Sequence, residues 1–154
     1  MARDGISVEV IGIDKAIRKF EDLNQQALDG VKQSVISSAF RIETDAKRRA
    51  PSDTGRLRSS IQTEIRKNGF EAVVFTDVSY GPPVEEGARP HFPPPNALTG
   101  WANRHGLNGL EFVIARAIAR RGLPPRPFLF PAWDKERPDF INSIRAVARG
   151  LERG

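Results

Sequence analysis

The pattern of apolar positions predicts one long helix in the first third of the chain. Apolar residues recur there at spacings of three and four, which places them on one helical face: Leu28, Val31, Val35, Ala39, Ile42 and Ala46. We expect this helix to run from about Gln26 to Arg49. Its last turn carries Lys47, Arg48 and Arg49. These cations suit the negative end of the helix dipole and are also candidate contacts for DNA phosphates or an acidic surface.

A short strand and a first helix are predicted ahead of the long helix. Ile6, Val8 and Val10 alternate with polar residues, which is typical of a strand with one buried face. Asp14 follows as a suitable N-cap for a helix. The apolar stripe of that helix comprises Ile17, Phe20 and Leu23.

The centre of the chain predicts a β-hairpin formed by residues 60–67 and 70–77. Asn68-Gly69 lies between them, and this is the preferred pair of a type I′ turn because both central residues need a positive φ. With a two-residue turn, the facing pairs are Ile65 and Ala72, Thr63 and Val74, Ile61 and Thr76, and Arg66 and Glu71. Val73 and Phe75 fall on the outer face of the hairpin, which we expect another element or a partner subunit to cover.

A corner at residues 50–61 connects the long helix to the hairpin. Pro51 has no backbone N–H and disfavours helical angles in the preceding residue, so the helix should end there. Asp53 and Thr54 are expected to hydrogen-bond local backbone N–H groups, and Gly55 to adopt a positive φ. The corner is therefore interpreted as a helix-to-strand turn, and the alternative is a contact loop for a partner subunit.

Proline and glycine shape the second half of the chain. Residues 78–87 are expected to start as a strand end and become a loop, and the Pro-rich residues 88–96 are expected to form neither a regular helix nor a central strand. A short helix is predicted at residues 97–105. A second helix, with arginines on its polar side (Arg116, Arg120 and Arg121), ends at Gly122. Its apolar stripe comprises Leu110, Val113, Ile114, Ala117 and Ile118.

The C-terminal part is expected to return to the sheet and then form a last helix. Residues 124–131 are extended by their prolines and are expected to add an edge strand, since proline is tolerated in a sheet only at edges. The last helix should run from Ala132 to about Leu151. Its apolar stripe comprises Trp133, Phe140, Ile141, Ile144, Val147 and Leu151.

Composition narrows the possible functions. The 154 residues suit a single domain. The absence of cysteine excludes disulfides and thiolate metal sites, and only His91 and His105 could supply imidazole ligands. Nucleotide-binding fingerprints and hydrolase motifs are lacking, so we expect no enzyme activity, metal or cofactor. The net charge of +5 favours polyanionic surroundings, and neither a signal peptide nor a membrane helix is expected.

Three blocks of the sequence occur in a recognisable order. Residues 50–61 fit the pattern Ala-Pro-x-x-Thr-Gly-x-Leu-x-x-Ser-Ile, Tyr80 with residues 84–87 fits Tyr-x-x-x-x-Glu-x-Gly, and residues 126–132 fit Arg-Pro-Phe-Leu-x-Pro-Ala. In this combination the chain resembles the tail-completion, or neck, proteins of long-tailed bacteriophages. It departs from the shorter members by an inserted loop-helix segment at about 88–122 within a single domain spanning 1–154.

The resemblance implies a small α+β fold. A small antiparallel sheet, made of the N-terminal strand, the Asn-Gly hairpin and the Pro-rich edge strand, would pack with a long N-terminal helix and a C-terminal helix. The resemblance also implies a structural virion protein that is not an enzyme. It would be made in the bacterial host cytoplasm and would act at the head–tail interface.

The partners implied by the resemblance are other virion components. The protein would form a ring, commonly a hexamer, between the head-closure (stopper) protein and the tail-tube protein. Genome DNA would pass through the lumen without sequence-specific binding, and no membrane is involved. A tail-terminator ring protein is the nearest alternative, and a DNA-binding module is a further one.

The residues expected to form contacts fall into two sets. The first set would bind neighbouring subunits or partners and comprises Asp53, Thr54, Gly55, Arg56, Val73, Phe75, Tyr80, Glu86, Gly87, Arg89, Phe92, Pro127 and Phe128. The second set would face DNA or an acidic surface and comprises Lys47, Arg48, Arg49, Arg116, Arg120 and Arg121.

Overall fold

The fold combines a three-stranded antiparallel sheet with helices, as the sequence predicts. The computed structural model describes residues 7–10 and 25–152. Within them the elements are β1 (Ser7–Val10), α1 (Gln25–Arg49), α2 (Arg56–Ser60), β2 (Gln62–Arg66), β3 (Glu71–Phe75), α3 (Gly81–Glu86), α4 (Pro95–Arg104), α5 (Glu111–Arg121) and α6 (Leu129–Glu152). The predicted Asp14 cap and the helix carrying Ile17, Phe20 and Leu23 lie outside the described residues.

The long helix α1 confirms the strongest prediction from the sequence. It spans Gln25–Arg49 and buries most of the predicted stripe. Leu28 is only half-buried, and Ala27 takes its place in the core. Arg58, from the corner, donates a hydrogen bond to the carbonyl of Ala50. The corner thereby satisfies a carbonyl at the end of α1, where intrahelical partners are missing.

The sheet has the order β1-β3-β2, and the predicted hairpin register between Gln62–Arg66 and Glu71–Phe75 is confirmed. Asn68 adopts φ 54° and ψ 33° and Gly69 adopts φ 95°, which is type I′ turn geometry. The hairpin is shorter than predicted because Ser60 belongs to helix α2. Its predicted pairing of Ile61 with Thr76 lies beyond the observed ladder.

One prediction about the sheet is wrong, and one alternative that the sequence left open is decided. The stretch at residues 124–131 adds no edge strand in the part of the chain that the structure describes. Instead, the Arg126 N–H donates to the carbonyl of Val84 in α3, and α6 already begins at Leu129. The outer face of the hairpin is covered within the chain, which is the first of the two alternatives that the sequence left open: Val73 and Phe75 are only 5% and 6% exposed.

Helix α6 lies along α1 and completes the core. Trp133, Phe140, Ile144 and Val147 pack against the buried cluster as predicted, whereas Ile141 points away from it. A Cβ on Gly30 would lie 3.0 Å from Val147 Cγ2, so glycine at this position lets the two helices approach closely. Arg41 pairs with Glu136 at 2.7 Å and Lys135 with Asp45 at 3.0 Å, and both ion pairs join α1 to α6.

The predicted loop after the hairpin contains a short helix instead. Gly81–Glu86 form α3, with Pro82 and Pro83 in its first turn. Proline is acceptable there because the first backbone N–H groups of a helix have no intrahelical partner. Among the described residues, no helix is both long and apolar enough to cross a membrane.

Candidate assembly site

The corner after α1 behaves as a structural turn that also makes a contact with the distant helix α4. Gly55 has the predicted positive φ of 79°, and the Thr54 hydroxyl accepts the backbone N–H of Arg56. Leu57 and Ile61 return to the core as predicted. Asp53 differs from the prediction, because its carboxylate binds a distant side chain, that of Arg104.

The contact between Asp53 and Arg104 joins the corner to the end of α4. Arg104 Nε lies 3.0 Å from both carboxylate oxygens, Nη2 also donates, and His105 Nδ1 lies 3.9 Å from Oδ1. Hydrogen bonds from Arg104 lower the pKa of Asp53. The pair is exposed, so water and salt screen it and its contribution to stability is small. It positions α4 more than it stabilises the fold.

Glu85 joins the second and third sequence blocks in the interior of the protein. Its side chain is 2% exposed. Oε2 accepts the backbone N–H groups of Phe128 (2.7 Å) and Leu129 (2.9 Å), and Oε1 accepts that of Phe130 (2.8 Å). The carboxylate therefore satisfies the orphan donors at the start of α6 and sits at the positive end of that helix.

The sequence interpretation selected Glu86 and overlooked Glu85. Glu86 is exposed, whereas Glu85 is the residue that matches the glutamate of the Tyr-x-x-x-x-Glu-x-Gly pattern. That match was the signal available in the sequence. It could not reveal the partners, since Phe128 lies 43 residues further along the chain.

Two glycines bracket the point where the inserted segment leaves and rejoins the body. Gly87 has φ 82° and ψ 171°, and Gly122 has φ 69° and ψ −159°, a region open essentially to glycine alone. Ala88 follows Gly87 and Leu123 follows Gly122, and these two residues exchange two backbone hydrogen bonds of 3.0 and 2.8 Å. A Cβ on Gly122 would lie 2.1 Å from the Ala88 carbonyl oxygen. The two segments of the chain approach each other so closely here that position 122 requires glycine.

The segment closed by this bridge contains helices α4 and α5, which pack against each other. Their buried residues are Ala102, Ala115 and Ile118. Helix α5 ends at Gly122 as predicted. Its predicted apolar stripe is only partly buried, however. Ile118 is buried, whereas Leu110, Val113 and Ala117 are exposed, because the described elements provide no covering layer on that side.

Large apolar side chains are exposed over much of this segment. The exposed set comprises Phe92, Trp101, Leu110, Phe112, Val113 and Leu123. The rings of Phe92 and Phe112 meet edge-on, with centroids 5.9 Å apart. Contiguous exposed apolar surface on a soluble protein marks a site of interaction. We call the surface formed by Phe92, Phe112, Val113, Arg116 and Arg120 the insert face.

The other predicted contact residues divide by accessibility. Those on the surface are Asp53, Thr54, Arg56, Tyr80, Glu86, Arg89, Phe92 and Pro127. Phe128 is fully buried beneath the start of α6, and with Val73 and Phe75 it offers no surface to a partner. The side chains of these three residues fill the interior of the single chain, and their assignment to an interface stays a prediction.

The two predicted basic clusters differ in how far they are neutralised. In α1, Lys47 pairs with Glu43 and Arg49 with Asp45, which leaves Arg48 as the exposed cation of that turn without an ion pair among the described residues. Arg116, Arg120 and Arg121 are exposed on α5. Contact of either cluster with DNA stays a prediction. His91 and His105 make ordinary hydrogen bonds to backbone carbonyls, and the described residues contain no cluster that could hold a metal ion.

The carboxylate of Glu43 predicts a loss of stability in acid. Burial alone would raise its pKa, but hydrogen bonds from Lys47 and Thr63 outweigh burial and lower the pKa below its ordinary value of 4.5. The stabilisation is therefore complete above that value and is lost as the pH falls through the lower pKa of the folded protein. We expect Glu43→Gln to cost about 1–2 kcal/mol near neutral pH, from the loss of charge-assisted bonds.

Urea unfolding at a series of pH values tests this expectation. The free energy of unfolding of Glu43→Gln should fall less steeply with acid than that of the unmodified protein. Glu86→Gln, an exposed carboxylate, serves as the control and should keep the original acid dependence. An unchanged acid dependence in Glu43→Gln would contradict the assignment.

Comparison with known proteins finds a family that part of the chain matches. Residues 14–87 match the HK97-gp10-like family, described as "Bacteriophage HK97-gp10, putative tail-component". The match covers just under half of the chain, includes the corner and Glu85, and ends at Gly87, where the inserted segment begins. It confirms the kinship with phage tail components predicted from the sequence. No curated protein matches the chain, and no solved structure matches it.

Proposed function

We propose that the protein forms a ring at the head–tail junction of a virion, because residues 14–87 match the HK97-gp10-like family, which is described as a putative tail component of a bacteriophage. In this role it joins the head-closure protein to the tail tube and acts by binding, without catalysis. The ring is proposed to be a hexamer, because that is the subunit number that the sequence resemblance implies. Genome DNA passes through the lumen without sequence-specific contacts.

The exposed apolar surface of the inserted segment carries this proposal. Phe112 and Val113 are 60% and 61% exposed, although both sit on a well-formed helix. A soluble protein that worked alone would gain nothing from such a surface and would risk aggregation. In an assembly, burial of these side chains against another subunit contributes to binding. The exposed apolar surface therefore supports a structural role, in which other subunits bind to this surface and cover it.

The distribution of charge fits a lumen or an acidic neighbour. The chain has a net charge of +5, and Arg48, Arg116, Arg120 and Arg121 are exposed. Positive charge attracts phosphate backbones without regard to sequence. Such attraction accounts for passage of DNA through a ring without making the protein a sequence-specific reader.

Deleting the gene from the genome that encodes the virion tests the proposed role. A joining ring predicts filled heads and separate tails of normal length in electron micrographs, with infectivity or DNA transfer restored when the protein is supplied in trans. A tail terminator predicts tails of uncontrolled length instead, because nothing would stop tube growth. Intact, active particles from the deletion strain would contradict both roles.

A further inference from the structure

The inserted segment, residues 88–122, is a separate unit beside the body of the protein. Helices α4 and α5 pack on each other, and the helices and strands of the body make at most marginal contact with either of them. No residue of the segment belongs to the buried core cluster that fills the body. Within the part of the chain that the structure describes, the position of the segment therefore depends on a few specific attachments.

The first attachment is the bridge between Ala88 and Leu123. Apart from its two hydrogen bonds, no backbone hydrogen bond joins the segment to the rest of the described chain. Gly87 and Gly122 lie next to the bridge, one on each of the two chain segments that enter it. Hinges in proteins are a few loop residues that absorb changes in backbone angle. The bridge, narrow and flanked by glycine on both segments, is therefore suited to act as a hinge.

The second attachment is the ion pair between Asp53 of the corner and Arg104 of α4, which we call the latch. Nε of Arg104 lies 3.0 Å from both carboxylate oxygens. Among the described residues, the only other polar side-chain contact between segment and body is that of His105 with the same carboxylate, at 3.9 Å. The side chains of Asp53 and Arg104 are 32% and 46% exposed, so water and salt compete with the latch.

From these attachments we infer that the inserted segment is an arm that turns as a unit about the bridge, and that the latch holds it in the position seen in the structure. Because an exposed ion pair contributes little free energy, loss of the latch changes the ratio of latched to unlatched arms only about two- to fivefold. A partner that binds the arm in another orientation therefore shifts this equilibrium easily. The insert face lies on the arm, so the latch sets the direction in which that face is presented. The inference concerns the single chain and does not depend on the proposed ring.

A distance measurement between the arm and the body tests this inference. The sequence contains no cysteine, so Ala117→Cys on α5 and Ala146→Cys on α6 create two unique sites for spin labels. Both residues are exposed. The doubly labelled protein is mixed with an excess of unlabelled protein, so that distances between copies do not contribute in any assembly. With the latch intact, the distribution of distances should have one dominant peak.

Removal of the latch should populate other distances. Asp53→Ala and Arg104→Ala should each raise that population about two- to fivefold. Added salt should have the same effect when the latch is intact, because it screens an exposed pair, and should add little in Asp53→Ala. Exchanging the charges, with Asp53→Arg and Arg104→Asp together, should restore the dominant peak. Asp139→Ala in the body and Arg121→Ala in the arm, both at exposed positions, are the matched controls and should leave the distances unchanged.

Hydrogen exchange distinguishes turning of the arm from its unfolding. In Asp53→Ala the amides of α4 and α5 should keep their protection, because the arm moves as a unit. Loss of that protection would show that the segment unfolds locally, which contradicts an arm. Distances that are the same in all variants and at all salt concentrations would show that the segment is fixed. A distribution that is already broad with the latch intact would show that the latch does not hold it.

Discussion

Replacing Glu85 with alanine is expected to lower the free energy of unfolding by about 3–5 kcal/mol, because it leaves three backbone N–H groups at the start of α6 without their acceptor. Phe128 and Leu129 are fully buried, so water cannot readily replace the carboxylate. The charge also favours the N-terminal end of α6 electrostatically. The loss is a large share of the 5–15 kcal/mol that typically separates folded and unfolded states.

Urea denaturation followed by tryptophan fluorescence measures the effect, since Trp133 lies on α6 and packs against the core. Glu85→Gln keeps the size and one acceptor oxygen, and should lose about 2 kcal/mol through the missing charge-assisted bonds. Glu86→Ala is the adjacent, exposed control and should change stability by less than about 0.5 kcal/mol. Equal stabilities for Glu85→Ala and Glu86→Ala would overturn the role given to Glu85.

Alanine at Gly122 is expected to open the bridge that closes the inserted segment, at a cost of about 3–5 kcal/mol from a glycine-only backbone conformation and two broken hydrogen bonds. The new Cβ would lie 2.1 Å from a backbone carbonyl oxygen, which no side-chain adjustment relieves. The effect should be local, because the core of α1, the sheet and α6 is built without this segment. Assembly should fail even though the body stays folded.

Hydrogen exchange distinguishes local opening from global unfolding. Amides of α4 and α5 should lose protection in Gly122→Ala, while those of α1 and β3 should keep it. Gly109→Ala is the matched control, since Gly109 also has a positive φ of 81° but no atom lies within 4 Å of its Cβ position. It should cost about 1–2 kcal/mol from conformation alone. Similar exchange in the two variants would refute the steric argument.

Glu85 and the bridge beside Gly122 explain what the sequence blocks do in the fold. Glu85 fastens the second block to the third, and Gly87 and Gly122 allow the inserted segment to leave and return at one point. The blocks therefore belong to the body of the protein, and five of the eleven large apolar side chains that are exposed among the described residues lie on the inserted segment. The division explains why some residues within the blocks, such as Phe128, are interior in the single chain.

Local pattern alone determined much of the fold. The 3.6-residue period located α1 to within a residue, and Asn68-Gly69 specified both the type I′ turn and the strand register. These features depend on side chains within a few positions of each other, where spacing and backbone preference act directly. The same is true of the glycine that ends α5.

Tertiary structure decided which predicted surfaces are free and which residues bind distant partners. Asp53 meets Arg104 across 51 residues, and Glu85 meets Phe128 across 43. Periodicity shows which side of an element is apolar, but not whether another element covers that side. For this reason Val73 and Phe75, expected on a contact surface, are buried, whereas Val113, expected in an apolar stripe, faces solvent.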